Sequence, residues 1–297
     1  ISPNTGIYDK GTFKDAGRPY ARCWIGSGSG SHGNVNVSEA LEVSCNYFFY
    51  TVAYRMNKGA GDLSGINTLN KYMEAFGLNS PTGVEISELY DSMSQYPTHI
   101  SSPEYKKYIT QQRDADAKES DYKWSAGDTI RTAIGQSYNN YTSALMSKYV
   151  ATLANGGTRY SMHFLNKVTN NDGKTEEEYQ PKVESKIEIK KENLDAIFKG
   201  MFLVTTGPRG TLRNYFKDFP VDVAAKSGTA QQSSKRSEHT TFVAFAPLED
   251  PQISVCVIIP FGNGTTGPAP KVAKVAISEY LKLDYKPELK SYDTLLH

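Results

Sequence analysis

Hydrophobic positions along this chain follow two different spacings, and the change between them divides it. From Asn36 to about residue 160, apolar residues recur every three or four positions, the period of a helix buried along one face. Asn36 with Glu39 three residues later has the form of a capping box. Val37, Ala40 and Leu41, then Phe48, Phe49, Val52 and Ala53, supply the apolar faces of two helices on either side of Ser44-Cys45-Asn46. Asp62 opens a further helix with Ile66, Leu69, Tyr72, Met73 and Phe76 inward and Gly77 as its stop. Thr142 opens another, with Leu145, Tyr149, Val150 and Leu153 inward, ended by Asn155-Gly156. Between them, Tyr90 to Lys123 is polar and aperiodic and predicts an irregular excursion. After residue 157 the text shortens. Residues 158–190 predict short strands around the turn Asn170-Asn-Asp-Gly-Lys. Leu194, Ile197, Phe198, Met201 and Leu203 mark a helix, strands follow at 221–231, 240–247 and 253–261, and a last helix runs from Val272 to Leu281 behind Pro268 and Pro270. Residues 1–35, rich in Gly, Pro, Asp and Ser, predict loops and short leading strands.

A helical part beside hairpin-connected strands predicts an α+β fold, with a mostly antiparallel sheet flanked by helices and an all-helical subdomain. The 297 residues read as one domain, helical over approximately 36–160 and sheet-based over approximately 161–297. Internal repeats are absent from the sequence. Thirty-three basic against 32 acidic residues leave a formal charge of +1, which implies no nucleic-acid or other polyanion partner. No apolar run approaches the roughly 20 residues that span a bilayer. The Gly262-Asn-Gly-Thr-Thr-Gly loop lacks the lysine of a phosphate-binding loop and reads as a turn.

Two short motifs carry candidate chemistry. Asp222-Val-Ala-Ala-Lys-Ser-Gly-Thr-Ala ends a strand with a lysine, two hydroxyls and a glycine. Lysine plus hydroxyl binds a carboxylate, and a strand glycine lets another backbone approach closely. K-[ST]-G is one of the elements of penicillin-interacting serine enzymes, but alone it is more often a plain strand end. Ser44-Cys45-Asn46 fits a second element, S-x-N, on a tight connection between two buried helices; alone it reads as a polar pair at a helix end.

Taken together and in order, the chain resembles the transpeptidase domain of class B penicillin-binding proteins, in particular penicillin-binding protein 2. The resemblance runs through His32-Gly33, Asn36-Val37 and Ser44-Cys45-Asn46-Tyr-Phe-Phe-Tyr, then Phe76-Gly77-Leu78 with Thr82-Gly83-Val84. It continues through Ala133-Ile134-Gly135-Gln136, Leu153-Ala154-Asn155-Gly156-Gly157, Gly210-Thr211, Lys226-Ser227-Gly228 and Phe242-Val243-Ala244-Phe245-Ala246-Pro247. It implies a penicillin-binding fold and a serine D,D-transpeptidase that cross-links peptidoglycan stem peptides through an acyl-enzyme and that β-lactams acylate. The resemblance implies that Ser44 relays a proton to the leaving amine, Asn46 bonds the substrate amide, and Lys226 holds charge and the relay proton. It further implies that Ser227 and Thr229 bind the terminal carboxylate, beside Gly228, and that the strand at Thr229-Ala230 supplies an oxyanion donor. The resemblance also implies a role in the cell wall and in cell shape, a part in antibiotic resistance and a membrane setting. With these it implies a cell-wall glycosyltransferase as partner and a place on the extracytoplasmic face of the bacterial membrane.

One family element departs. The nucleophile belongs to S-x-x-K upstream of S-x-N, and nothing before Ser44 fits. Ser120-Asp-Tyr-Lys123 matches the pattern in the wrong place, within a charged stretch, and reads as coincidence. The chain begins at Ile1, so the economical expectation is a downstream piece of a longer protein whose upstream part carries the membrane anchor and S-x-x-K. The alternatives are a non-catalytic pseudoenzyme that binds peptidoglycan or β-lactams, and a serine β-lactamase.

The three cysteines point elsewhere. Cys256 sits in the apolar run Ile253-Ser-Val-Cys-Val-Ile and reads as core. Cys23, His32, Cys45 and Asp15, with Asp9 also near in sequence, are all residue types that ligate zinc. A structural zinc there would pin the Gly/Ser stretch after Cys23 to the S-x-N turn. A Cys23–Cys45 disulfide and free, unrelated thiols are the other readings; the spacing matches no standard zinc signature.

Overall fold

Short strands lead the chain in, because residues 1–35 carry turn formers too dense for long elements. In the computed structural model, residues 1–27, 30–59, 62–86, 98–230, 237–262 and 267–285 are described. Strand β1 (Ile7–Asp9) pairs antiparallel with β4 (Gly33–Val35), and β2 (Thr12–Phe13) with β3 (Ala21–Arg22). A 3-10 turn at Trp24–Ser27 follows β3. Helices α1 (Val37–Glu42) and α2 (Asn46–Arg55) come next, with the expected capping box at Asn36 and Glu39 complete in both directions. Helix α3 (Ser64–Ala75) ends at Gly77, whose φ of 77° ends the helix, as its place in the pattern predicted. Asp62 accepts the Ser64 N–H at 3.0 Å and so caps the first turn from just outside it.

The excursion at 90–123 is more regular than its sequence suggested. Its first part lies outside the described residues, but Pro103–Arg113 forms helix α4 and Glu119–Tyr122 a single turn, α5. Helix α4 has almost no apolar face, so periodicity could not reveal it. Its ends and one ion pair hold it instead: the Ser102 hydroxyl caps the Tyr105 N–H at 3.1 Å with Pro103 in the first turn. Buried Lys106 bonds Asp128 of α6 (Ala126–Thr132) at 2.8 Å and the Lys123 carbonyl at 2.9 Å. Helix α7 (Ser143–Ala154) is capped by Thr142 as expected.

Strands β5 (Thr158–Tyr160), β6 (Lys167–Thr169), β7 (Thr175–Glu178) and β8 (Val183–Lys186) form two small antiparallel pairs, β5 with β8 and β6 with β7 around the Asn170 turn. Helix α8 (Lys191–Thr206) and a turn of helix, α9 (Arg213–Phe216), precede the main sheet. That sheet is three antiparallel strands in the order β11-β10-β9: β9 (Ala224–Ala230), β10 (His239–Ala246) and β11 (Ile253–Ile259). Both of its faces are covered, which explains the nearly continuous apolar runs. Phe242, Ala244 and Ala246 pack toward α10 (Ala269–Leu281) with Ala273 and Ile277. Val243 and Phe245 pack the other way, with Val150 and Leu153 of α7 and Met201 of α8. Cys256, expected in the core, is half-buried beside that second cluster, and burial pushes its thiol up to about 11. The whole is the α+β arrangement that the pattern predicted, an antiparallel sheet flanked by helices.

One packing contact positions everything at the site. Helix α1 lies so close to α8 at Gly200 that a Cβ there would stand 2.7 Å from Leu41 Cδ1 and 3.0 Å from the Ser38 Cα. The Ser38 hydroxyl donates to the Ala196 carbonyl at 2.7 Å across the same crossing. Helix α1 is thereby fixed against the middle of α8, and α8 in turn packs on β9.

Candidate functional site

Helix α1 ends in a Schellman motif. The Cys45 N–H donates to the Ala40 carbonyl at 2.8 Å and the Ser44 N–H to the Leu41 carbonyl at 3.2 Å. The residue between those bonds must be left-handed, a place usually given to glycine, and here it is Ser44 with φ of 54°. A side chain in that region is strained. Its direction is what the strain secures: Ser44 Oγ accepts a hydrogen bond from Lys226 Nζ at 2.9 Å, across from β9. The S-x-N and K-S-G elements, far apart in sequence, therefore meet side chain to side chain.

Lys226 is half-buried in the middle of β9, where it also donates to the Ser227 carbonyl at 2.7 Å. Burial pulls its ammonium down to about 8, so it holds its proton loosely for a lysine. Ser227 is buried, and its hydroxyl faces that of Thr211 at 3.5 Å. Strand β9 is the outer strand of its sheet, and a Cβ built on Gly228 would meet only Thr241 at 3.9 Å, leaving room for another backbone. Thr229 is half-buried and Ala230 exposed at the strand's end. Asn46 opens α2, two residues past Ser44 and half-buried. Ser120 and Lys123 are both exposed, and the Ser120 hydroxyl turns to Asp121 at 3.2 Å rather than toward Lys226 or Ser44.

Behind the turn lies a second cluster. Cys23, His32, Cys45 and Asp9 present ligand atoms all within 4.8 Å of one another. The two sulfurs are 4.0 Å apart, Cys23 Sγ lies 3.5 Å from His32 Nδ1, Cys45 Sγ 3.6 Å from Asp9 Oδ2, and His32 Nδ1 2.8 Å from Asp9 Oδ2. A tetrahedron built on standard Zn–S, Zn–N and Zn–O bonds has edges of roughly 3.3–3.8 Å. Four of the six edges lie within about half an ångström of those values and all six within 4.8 Å, a spacing from which zinc could draw the four residues in. Asp15, named with this set from the sequence, is exposed on the β2–β3 turn and stands outside it. Asp9 takes the place because β1 pairs with β4 in a register that sets Asp9 opposite Gly33, next to His32.

Contacts within the cluster set where its protons sit. The Cys45 contact, aided by His32 and opposed by burial, brings the Cys23 thiol down to about 5, while that same contact and burial push Cys45 up. Burial opposes charge on both His32 and Asp9, yet their contacts prevail. His32 is raised by Cys23 and Asp9, and Asp9 is lowered by the N–H groups of Gly11 and His32. A divalent cation would bind the Cys23 thiolate and the Asp9 carboxylate as they stand and displace a proton from His32 and from Cys45. His32 Nε2 is buried with no protein partner among the described residues, and Trp24 lies against the ring at 5.4 Å.

Comparison with known proteins bears on the fold and the family. The family described as "Penicillin binding protein transpeptidase domain" matches residues 1–277. The peptidoglycan D,D-transpeptidase MrdA of Escherichia coli K12 is 33% identical over 284 residues, 91% of this chain and 40% of that protein. The PBP2 of Pseudomonas aeruginosa, solved in complex with WCK 5153, superposes with a TM-score of 0.75 at 26% identity, over 99% of this chain and 57% of that one. The PBP2 of Helicobacter pylori, solved in complex with MreC, shares the fold at a TM-score of 0.70 and 22% identity, over 95% of this chain and 46% of that one. The chain spans about two fifths of the length of these curated relatives.

Proposed function

The chain belongs to the penicillin-binding protein transpeptidase family, as a class B transpeptidase domain, and from that premise we propose that it forms the cleft of a serine D,D-transpeptidase acting on peptidoglycan stem peptides. The Lys226–Ser44 hydrogen bond carries the reading. It joins two family elements through a lysine whose proton is already loosened.

In this reading the nucleophile is the serine of an S-x-x-K segment that the complete protein supplies from upstream. Its Oγ attacks the carbonyl of the penultimate D-Ala; the hydroxyl proton goes to the neighbouring S-x-x-K lysine, and an oxyanion forms. The N–H at the Thr229–Ala230 end of β9 and the nucleophile's own N–H stabilise that oxyanion. Collapse breaks the amide bond to the terminal D-Ala and leaves an ester on the serine. Ser44, bonded to Lys226, passes a proton to the departing amine. An acceptor amine then attacks the ester, gives up its proton along the same relay and releases the serine. Asn46 bonds the substrate amide, and Ser227 with Thr229 hold the terminal carboxylate until it leaves. A β-lactam follows the first half and stops at the ester.

Zinc held by Asp9, Cys23, His32 and Cys45 would be structural. It contributes no step and clamps the loop after β3 to the residue beside Ser44. A cell-wall glycosyltransferase as partner and a site at the extracytoplasmic membrane face complete the proposal. No helix among the described residues is long and apolar enough to cross a membrane.

Intact mass of the complete protein with and without benzylpenicillin tests the reading. A stable adduct on the upstream segment supports it. No adduct makes the cleft that of a binding pseudoenzyme, and an adduct that hydrolyses within seconds makes the protein a β-lactamase.

A further inference from the structure

Glu42, the last residue of α1, is a buried carboxylate with 3% of its surface exposed. A negative charge at a helix C-terminus opposes the helix dipole, and a buried one is tolerated only with partners. Both of its partners come from the loop that follows α8. Glu42 Oε1 accepts the Arg209 N–H at 3.0 Å, and Oε2 lies 3.7 Å from the Arg209 guanidinium. The loop backbone is pressed onto it: a Cβ on Gly207 would stand 2.3 Å from Oε1. The same guanidinium reaches the His32 carbonyl at 3.5 Å.

The loop itself is tightly wound. Gly207 N–H bonds the Leu203 carbonyl at 2.8 Å, Gly210 N–H the Gly207 carbonyl at 3.0 Å and Leu212 N–H the Val204 carbonyl at 3.0 Å. Gly210 is packed so closely that a Cβ would meet the Leu203 and Val204 carbonyls at 2.3 and 2.7 Å. Fixing Arg209 therefore fixes Thr211 two residues later. The Thr211 and Ser227 hydroxyls stand 3.5 Å apart, too far for a strong bond to each other. That is the separation of two donors converging on one acceptor, and a carboxylate placed between them satisfies both.

We infer that Thr211 shares with Ser227 the recognition of the ligand carboxylate, and that Glu42 is the positioning residue that holds Thr211 there through Arg209. The inference rests on the transpeptidase reading, because that reading puts a carboxylate at Ser227. It adds a specificity residue from a third part of the chain and explains why a buried acid stands two residues before Ser44. The end of α1 thus orients the relay hydroxyl with one residue and the carboxylate pocket with another.

The test uses the complete protein, with acylation resolved by stopped flow into a binding constant and a limiting rate, for a penicillin and for its carboxylate methyl ester. Glu42→Ala is expected to weaken penicillin binding by about tenfold, the effect of misplacing one hydrogen bond to a charged group, with a limiting rate within about threefold. It leaves ester binding at the wild-type value. Glu42→Gln, which keeps the acceptor for the Arg209 N–H, restores most of the loss. Thr211→Val shows the same selective loss, and adding Glu42→Ala to it weakens binding no further. Equal losses for acid and ester would reduce Glu42 to a stability role. Multiplying losses in the double variant, or unchanged binding in Glu42→Ala, would likewise overturn the inference while the transpeptidase reading stands. A wild-type protein that no β-lactam acylates overturns both.

Discussion

Replacing Ser44 by glycine and by alanine separates the hydroxyl's role from the backbone's. Both variants remove the acceptor of Lys226 Nζ, now 2.9 Å away, so the loss from that bond is common to the two. They differ in the Cβ at φ of 54°. A Cβ in the left-handed region costs about 1–2 kcal/mol, and glycine gives back about 0.5–1 kcal/mol through the greater freedom of its unfolded chain. Glycine is therefore expected to be the more stable variant by about 0.5–1 kcal/mol. In a protein of this size that separates the melting temperatures by about 1–3 °C. Differential scanning calorimetry on the two purified variants reads the difference directly. Acylation by penicillin should fall by about 10²–10⁴ in both, as loss of a proton relay requires. An alanine variant that melts at or above the glycine variant would show that the Schellman geometry carries no strain at Ser44. A glycine variant with wild-type acylation would remove Ser44 from the relay.

Burial lowers Lys226 to about 8 from its ordinary 10.5, so the folded protein sheds this proton before the unfolded chain does. The lysine is thus fully destabilising below pH 8, and the penalty fades as pH rises to 10.5; the stability of wild type relative to Lys226→Met should climb across that window, and a flat difference in chemical denaturation would contradict the burial. Elemental analysis should find about one zinc per chain in gently purified protein, lost in Cys45→Ser and Asp9→Asn but retained in Asp15→Asn. Loss in Asp15→Asn with retention in Asp9→Asn would reverse the assignment. Gly200→Val should drive α1 off α8, with the overlap at Leu41 and the Ser38 Cα lowering stability by about 1–3 kcal/mol in urea titration; an unchanged midpoint would mean the crossing has slack.

Much of this protein was legible because its signals are local. The capping box at Asn36, the stop at Gly77, the Thr142 cap and the Asn170 turn each depend on residues a few positions apart, and each stands where the pattern put it. The buried sheet was legible as continuous apolar runs, since both faces of β10 are covered. Helix α4 was not, because a cap and a buried ion pair from α6 hold it and neither leaves a period. The family elements named Ser44 and Lys226, but a sequence does not contain the 2.9 Å between them. That distance comes from the α1–α8 crossing at Gly200 and the seating of α8 on β9. The choice of Asp9 over Asp15 came from strand register, which moves a side chain to the opposite face with each single-residue shift. Glu42 carried no motif at all, since what makes it notable is burial against a loop 167 positions away. Sequence by itself determined most of the elements, α4 excepted, because helix and strand periods and caps are short-range. Tertiary structure alone decided which side chains meet, because packing brings together groups whose separation along the chain carries no information about their separation in space.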